Sequence, residues 1–350
     1  MATTNLSICL AERPTGGFVV GETFTHCTSP APSSADVKDG EILVEVLYLS
    51  LDPAMRGWVR DQRSYLPPVP IGGVMRGVGV GRVLASKSKL AAQGDLVTGF
   101  TGWTQYAVMA EGQFEPAPRD LQVRHPQDLL SALGHTGITA WWGMKEIGNP
   151  GPGETVVVSA AAGATGYVAG QIAMIMGARV VGICGSDDKC DWLVKELGFA
   201  AALNYKADDF ETRLAEETPD FIDVYFDNVA GRVLDLCLGR AKEHARFVAC
   251  GFISGYNNNS APPTYRNLGQ VTTMRIRMQG FIITDHRDHF AQAQRELATW
   301  IQEGKLKTHE TVIKGGLPAA EGGLVELFNG ANKGKMLVEI KSPEEPPVSL

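Results

Sequence analysis

Five residues that suit a strand, from Val156, run straight into a burst of alanines and glycines in "VVVSAAAGATG", where side chains nearly vanish, and the chain then continues as the helical "YVAGQIA". Few backbones can follow such a run. A strand that turns at once into a crossover helix sets the helix N-terminus at its own carboxyl end, where unpaired N–H groups and the helix dipole attract an anion. Gly163 and Gly166 stand where a side chain would keep a pyrophosphate from that backbone, and Gly170, one turn on, lets the helix lie close to the sheet. The spacing is GxxG with a further glycine, not the full GxGxxG, so an ordinary tight turn is the competing reading. The context favours a dinucleotide loop, with a strand directly before, a helix directly after and a second strand about 20 residues on.

The rest of the chain supplies the sheet that such a loop needs. After "NPGPGE", a concentrated turn signal, strands and helices alternate. "TVVVSA" precedes a helix over about residues 167–176, and "ARVVGICG" precedes one over "DDKCDWLVKELG", which Ser186 can cap and Gly198 can end. "AALNY", "FIDVYFDNV", "ARFVACG" and "RMQGFII" read as further short strands, and "HFAQAQRELATWIQEGK" as a helix ending at Gly304. This rhythm predicts an α/β fold with a doubly wound parallel sheet. Upstream, "EILVEVLYLSLD", the Gly-bent "GVGVGRVLAS" and "LVTGFTGWTQYAVM" read as β-rich, and "LLSALGHTGITAWWGMKEIG" as helical up to Gly148. At 350 residues two domains are expected: a β-rich part over 1–130, a nucleotide-binding part over 131–305, and a return to the first domain in short strands over 306–350.

A net charge of −7 disfavours a general nucleic-acid binder, since no basic excess is available to neutralise phosphates. No apolar run reaches the roughly 18 residues of a membrane span, and "MATTNLSICLAERPTGG" lacks the basic and apolar segments of a signal peptide. The cysteines at 9, 27, 184, 190, 237 and 250 show no CxxC spacing, which predicts reduced thiols in a cytoplasmic protein and no metal cluster.

Which dinucleotide is bound depends on the end of the second strand. NAD sites usually carry an acid there for the ribose 2′-OH, whereas here Gly185 and Ser186 take that place and Lys189 follows within one helical turn, able to meet a 2′-phosphate. Asp187 and Asp188 are the acidic alternatives, but at the first helical positions they more simply complement the dipole. NADP is favoured over NAD.

With these residues in view, "AAAGATG" matches the AAxGxxG signature of zinc-independent medium-chain dehydrogenases/reductases. "LDPAMRG", "GSDDKCDWLVKELGF", "NYK", "FDNVAG" and "CGFISGYN" resemble the double-bond reductase branch, which holds the 2-alkenal, prostaglandin and curcumin reductases. The resemblance covers nearly the whole chain. It implies a Rossmann domain inserted in a β-rich GroES-like domain, NADPH as hydride donor and a homodimer. By the same resemblance Gly163, Ala164, Thr165 and Gly166 hold the pyrophosphate, and Lys189 and Tyr205 meet the 2′-phosphate. Asn228 lines the cleft, and Cys250, Gly251, Phe252, Ile253 and Ser254 pass beside the nicotinamide, up to Tyr256. Phe281, Ile282 and Ile283 flank it, and Asn332 closes over the cofactor. The chain departs from the family pattern at Ala54, where relatives carry tyrosine, and at His135, where they often carry methionine.

Zinc-dependent cousins need a cysteine and a histidine in the N-terminal domain, and "LSLDPAMRG" and "IGGVMRGVGVG" contain neither. Reduction of an already polarised alkene is then the better match. Hydride adds to the β-carbon of an α,β-unsaturated carbonyl while charge gathers on oxygen, so a donor must face that oxygen. Tyr256 is the candidate; the alternative is a tyrosine that only packs over the nicotinamide. Tyr48, Met55, Arg56 and Trp58 are candidates for a substrate pocket, with an internal ion pair the alternative for Arg56. His135 is a candidate acid or a structural histidine. The run from Asn257 to Ser260, followed by Pro262 and Pro263, suggests a lid. Three functions remain in play: an alkenal or enone reductase, a quinone or carbonyl reductase, and an NADPH-binding protein without turnover.

Overall fold

The computed structural model describes residues 3–350 apart from 119, 122, 124, 258–262 and 349. The chain forms two units, residues 1–130 with 310–350, and residues 131–309. In the first, β1 (Thr4–Leu10) pairs antiparallel with β2 (Phe24–Pro30). The axis of the larger sheet is β3 (Glu41–Ser50), buried at every residue but Glu41 because both its faces are covered. It pairs with β4 (Gly79–Ser86), and β5 (Leu96–Gly99) and β7 (Phe114–Pro116) extend the sheet beyond β4, while β6 (Tyr106–Ala110) lies against the start of β3. Glycine bends β4: a Cβ on Gly81 would stand 2.3 Å from the Val44 side chain and 2.6 Å from the Glu45 carbonyl oxygen. After β3 the chain makes a single helical turn, α1 (Met55–Trp58).

The second unit opens with α2 (His135–Trp142), which widens into a π-type turn over Gly143–Gly148 and ends at left-handed Asn149. The sequence reading began this helix near Leu129. Pro126 instead opens a 3-10 turn, Pro126–Leu129, and Leu129 and Leu130 belong to the core of the first unit. Strands and helices then alternate: β8 (Thr155–Ser159), α3 (Ala164–Ile175), β9 (Arg179–Cys184), α4 (Asp187–Lys195), β10 (Ala201–Asn204), α5 (Phe210–Glu217), β11 (Ile222–Asp227), α6 (Gly231–Gly239) and β12 (Ala241–Ala249). Two short helices, α7 (Ile253–Tyr256) and α8 (Gln270–Thr273), lead to β13 (Arg277–Gly280) and α9 (Phe290–Gln302). The six strands are parallel in the order β10-β9-β8-β11-β12-β13, so the direction of winding reverses between β8 and β11. That is the doubly wound sheet the alternation predicts, and its reversal point is where such sheets open a crevice at the strand ends. On one face Val157, Val181, Tyr225 and Phe247 pack against Phe210 and Leu234 of the crossover helices.

The chain returns to the first unit with β14 (Glu310–Ile313), α10 (Ala319–Asn329) and β15 (Lys335–Glu339). β14 runs parallel to β15, and β15 lies antiparallel to β3. Helix α10 corrects the expectation of short strands alone. Gly322 and Gly323 weaken its helical signal, but Leu324 and Leu327 bury on the first unit's core and Gly330 closes it in the left-handed region. Lys335 is buried beside them, with Nζ donating to Leu51 O at 2.7 Å and Asp52 Oδ1 at 2.9 Å. Among the described residues no helix is long and apolar enough to cross a membrane.

Candidate functional site

At the end of β8 the backbone turns through Ala160 at φ 46°, and the Gly163 N–H closes the turn on Ala160 O at 2.9 Å. Gly163 is the N-cap of α3, and the first helical bond runs from Tyr167 N to Gly163 O at 3.0 Å. The N–H groups of Ala164, Thr165 and Gly166 therefore precede the helical ladder. Gly163, Ala164 and Thr165 are half-buried, whereas Ala161, Ala162 and Gly166 are buried, so the opening lies over the first three. Two glycine roles differ from expectation. A Cβ on Gly166 would stand 2.3 Å from Ala160 O and 2.9 Å from Ala161 Cα, so the protein's own turn requires that glycine. A Cβ on Gly170 would meet the Phe199 ring at 2.1 Å, which brings α3 onto the segment after α4 and not onto the sheet backbone. Gly163 is the least crowded of the three, since a Cβ there would meet only Ala160 O, at 3.2 Å.

The end of β9 lies on one side of this turn. Ser186 has N-cap backbone geometry, but its hydroxyl donates to Asp188 Oδ1 at 2.5 Å and makes no cap bond. Asn204 Nδ2 donates to Asp187 Oδ1 at 2.9 Å, so both acids of "SDDK" are engaged by neutral neighbours. The Tyr205 ring lies over Gly185, where a Cβ would come within 3.1 Å of it. Lys189 is the third residue of α4 and half-buried. A second cation was not singled out in the sequence: Lys206 Nζ stands 5.8 Å from the Tyr205 ring centroid. Its signal was adjacency to Tyr205 in "NYK".

On the other side the end of β11 is organised by Asp227. Its buried Oδ1 accepts from Ser159 Oγ (3.1 Å), Tyr225 OH (2.9 Å), Val229 N (2.9 Å) and Ala230 N (2.8 Å). Burial raises the carboxyl above its ordinary range, with the backbone N–H groups of Ala230 and Val229 opposing. Asn228 spans from β11 to β8, its N–H donating to Ser159 Oγ and its Nδ2 to Ser159 O at 2.7 Å. The next loop is tied to the same strand end: Cys250 N and Gly251 N donate to Asp227 O, and Ser254 Oγ to Val229 O at 2.6 Å. Gly251 must be glycine, since a Cβ there would stand 2.9 Å from Asn228 O. Asp227 itself escaped the sequence reading. An acid closing an apolar strand, "VYFD", was its signal.

Tyr256 ends α7, half-buried, and its hydroxyl accepts from Phe252 N at 3.4 Å; the two rings meet edge to face at 6.2 Å. Ile253 is half-buried in the same turn and Phe252 is exposed. Most of the lid suggested after Tyr256 falls on 258–262, outside the described residues. Phe281, Ile282 and Ile283 follow β13, whose Gly280 pairs with Ala249, so Phe281 and Cys250 leave adjacent strand ends. Phe281 packs over Gly143. His135 opens α2, its ring 5.6 Å from Phe290 in an edge-on contact.

The substrate-pocket candidates Tyr48, Met55, Arg56 and Trp58 lie in the first unit. Tyr48, Met55 and Arg56 are interior, at 5%, 0% and 1% exposure. Tyr48 donates to Glu339 Oε2 at 3.0 Å, and burial with that carboxylate pushes its phenol up to about 12. Met55 packs with Leu51 and Leu324. Arg56 donates to the carbonyl oxygens of Pro14 and Gly16 at 2.7–2.9 Å, and burial lowers it to about 10. These are carbonyl partners, not the ion pair that was the alternative. Trp58 is also interior, its Nε1 donating to Tyr65 OH at 2.7 Å. Asn332 is buried, and its Nδ2 donates to Gly334 O at 2.7 Å in the turn before β15.

Residues 7–117 match the family described as the N-terminal domain of oxidoreductase, and residues 164–299 the family described as zinc-binding dehydrogenase. Among the described residues no three His, Cys, Asp or Glu side chains are grouped so as to hold a metal ion. The chain is 40% identical over 309 residues to the NADPH-dependent curcumin reductase of Escherichia coli, covering 86% of this chain and 88% of that one. It is 38% identical over 304 residues to the NADP-dependent 2-alkenal reductase of Nicotiana tabacum, covering 86% and 87%. The crystal structure of CurA from Vibrio vulnificus in complex with NADPH superposes with a TM-score of 0.90 at 37% identity, over 97% of this chain and 100% of that one.

Proposed function

The chain belongs to the NADPH-dependent double-bond reductase branch of the medium-chain dehydrogenases/reductases, and we propose that it reduces the C=C bond of α,β-unsaturated aldehydes or ketones. It is an oxidoreductase acting on CH–CH groups, and NADP(H) is its cofactor. The substrates proposed are enals and enones of the curcumin and 15-keto-prostaglandin kind. The observation that carries the reading is the reversal point of the sheet, where the α3 N-terminus, the β9 end with Lys189, and the Asp227-bound loops converge.

The residues present fit the cofactor. The N–H groups of Ala164, Thr165 and Gly166 would take the pyrophosphate, with Gly163 keeping the approach clear. Lys189 and Lys206, with Tyr205, supply positive charge and a hydroxyl for a 2′-phosphate, while Asp187 and Asp188 are turned to Asn204 and Ser186. Cys250–Ser254 and Phe281–Ile283 would border the nicotinamide. When bound, NADPH supplies the hydride that reaches the β-carbon.

The chain's own part is to receive the charge that then builds on the carbonyl oxygen. Tyr256 is proposed as the donor: it carries a phenolic O–H on the loop that leaves β12, tied to Asp227 through Cys250 and Gly251. One well-aimed donor of this kind is worth about 3 kcal/mol in the transition state. Water or the same phenol then protonates the α-carbon. No metal takes part in this scheme. We further propose a homodimer in the cytoplasm. In support, β13 pairs with β12 alone among the described strands and all four of its residues are exposed, and all six cysteines are free thiols.

The test is NADPH consumption against a panel of enals, enones and quinones, with products identified. A saturated aldehyde or ketone is expected. Allylic alcohol or hydroquinone as the product, or tight NADPH binding with no panel member reduced, would overturn the reading.

A further inference from the structure

Cys184 closes β9 and Cys190 is the fourth residue of α4, and their sulfur atoms stand 3.3 Å apart. Cys184 is buried, with Sγ also directed at Ser186 O at 3.7 Å. Cys190 is half-buried and borders a polar cavity of about 310 Å³ shared with Asp187, Asp191, Asn204, Asp209 and Arg213. That cavity gives a small polar oxidant a way to Cys190. The two thiols are unlike. The hydrogen bond from Cys184 lowers Cys190 below the ordinary thiol range, aided by Arg213 and opposed by burial, Asp187 and Asp191. The same contact, with burial, raises Cys184. Cys190 is therefore the more ready nucleophile and Cys184 the buried partner.

We propose that Cys184 and Cys190 form a thiol pair that hydroperoxides convert to a disulfide, and that closing it weakens NADPH binding. In the first step Cys190 thiolate attacks the hydroperoxide oxygen and the O–O bond breaks. Cysteine is oxidised to sulfenic acid and the peroxide, taking up a proton, leaves as alcohol or water. In the second, Cys184 sulfur attacks Cys190 sulfur, the S–OH bond breaks, and the thiol proton leaves with hydroxide as water. The sulfurs must close from 3.3 Å to about 2.05 Å. The chain between them is Gly185, Ser186, Asp187, Asp188 and Lys189, the turn assigned above to the 2′-phosphate. Drawing the first turn of α4 toward β9 shifts that turn. The thiol chemistry stands on the two sulfurs alone, while its effect on NADPH rests on the phosphate assignment.

The experiment treats the full chain with hydrogen peroxide, blocks remaining thiols and digests with trypsin. Cleavage after Arg179, Lys189 and Lys195 separates the two cysteines, so the disulfide joins peptides 180–189 and 190–195. Cys9 and Cys27 stay together in one peptide, because Arg13 precedes proline, and cannot mimic that link. The linked pair is expected in the wild type, reversed by dithiothreitol and absent from Cys190→Ser. The dissociation constant for NADPH is expected to rise about fivefold or more on oxidation and to stay unchanged in peroxide-treated Cys190→Ser. Loss of thiols without the linked peptides overturns the pair. A link that leaves NADPH affinity unchanged overturns the coupling if Lys189→Ala weakens NADPH in the reduced protein. If Lys189→Ala is also silent, the phosphate assignment has failed and the coupling with it.

Discussion

Gly163 and Gly166 are three residues apart in one motif, yet a methyl group on each should fail in a different way. At position 166 the added Cβ would stand 2.3 Å from Ala160 O and 2.9 Å from Ala161 Cα, both backbone atoms that cannot swing aside. Ordinary contact begins at 3.4 Å, so the start of α3 has to retreat by about 1 Å from the β8 turn. Overpacking of this kind costs about 1–3 kcal/mol. At roughly 2–4 °C per kcal/mol for a unit of this size, Gly166→Ala should melt about 2–12 °C lower. At position 163 the only near atom is Ala160 O at 3.2 Å, and φ is −83°, which alanine accepts. Gly163→Ala should keep most of its stability, losing a few tenths of a kcal/mol at the N-cap. Its methyl would occupy the approach to the three N–H groups, and NADPH should bind about tenfold more weakly, about 1.4 kcal/mol. Thermal melts without cofactor and fluorescence titration with NADPH separate the two quantities. A Gly166→Ala protein as stable as the wild type, or a Gly163→Ala protein with unchanged NADPH affinity, would refute the reasoning.

Lys189→Ala should weaken NADPH by about 10- to 100-fold, as expected for a lost bond to a charged group, and leave NADH nearly unchanged; equal losses in a parallel titration would remove its phosphate role. Tyr256→Phe should lower kcat on the order of a hundredfold with little change in the NADPH dissociation constant, and unaltered turnover would take Tyr256 out of the mechanism. Asp227→Asn retains an oxygen for the four donors and removes a carboxyl that burial holds high. Because the folded protein keeps that proton longer than the unfolded chain, the carboxyl's stabilising contribution is whole below about pH 3.9 and is lost as pH rises through its raised folded value. The unfolding free energy of Asp227→Asn minus that of the wild type should therefore climb with pH across that window and level off above it. A difference that falls with pH in urea melts would contradict the assignment.

The parallel sheet was legible because its strands are short apolar runs broken by turn residues, a pattern local to each segment. The glycine loop was legible for the same reason, and so was the run from Gly185 to Lys189. What stayed hidden depended on distant partners. Nothing near Tyr48 in sequence shows that Glu339, nearly three hundred residues on, accepts its hydroxyl. Arg56 reads as a substrate-facing or ion-paired cation, and nothing local shows that the carbonyl groups of Pro14 and Gly16 take its guanidinium. Helix α10 was hidden by two glycines whose cost is met through packing of Leu324 and Leu327. Asp227 shows the same limit only in part: Tyr225, Val229 and Ala230 lie within three residues of it, and Ser159 is its one distant donor.

The place of β15 has a consequence for the order in which the molecule is made. It fills the position beside β3 in the first unit's sheet, although it is synthesised after the whole of residues 131–309. Until Leu337 and Val338 arrive opposite Ser50 and Leu49, one edge of β3, a mainly apolar strand, has no partner along that stretch among the described strands. The continuous second unit, by contrast, holds every strand of its sheet within one uninterrupted segment and can complete it as it leaves the ribosome. A chain that has emerged only as far as residue 310 would therefore carry a finished parallel sheet behind an open antiparallel one, with the apolar edge of β3 as the surface most in need of a chaperone.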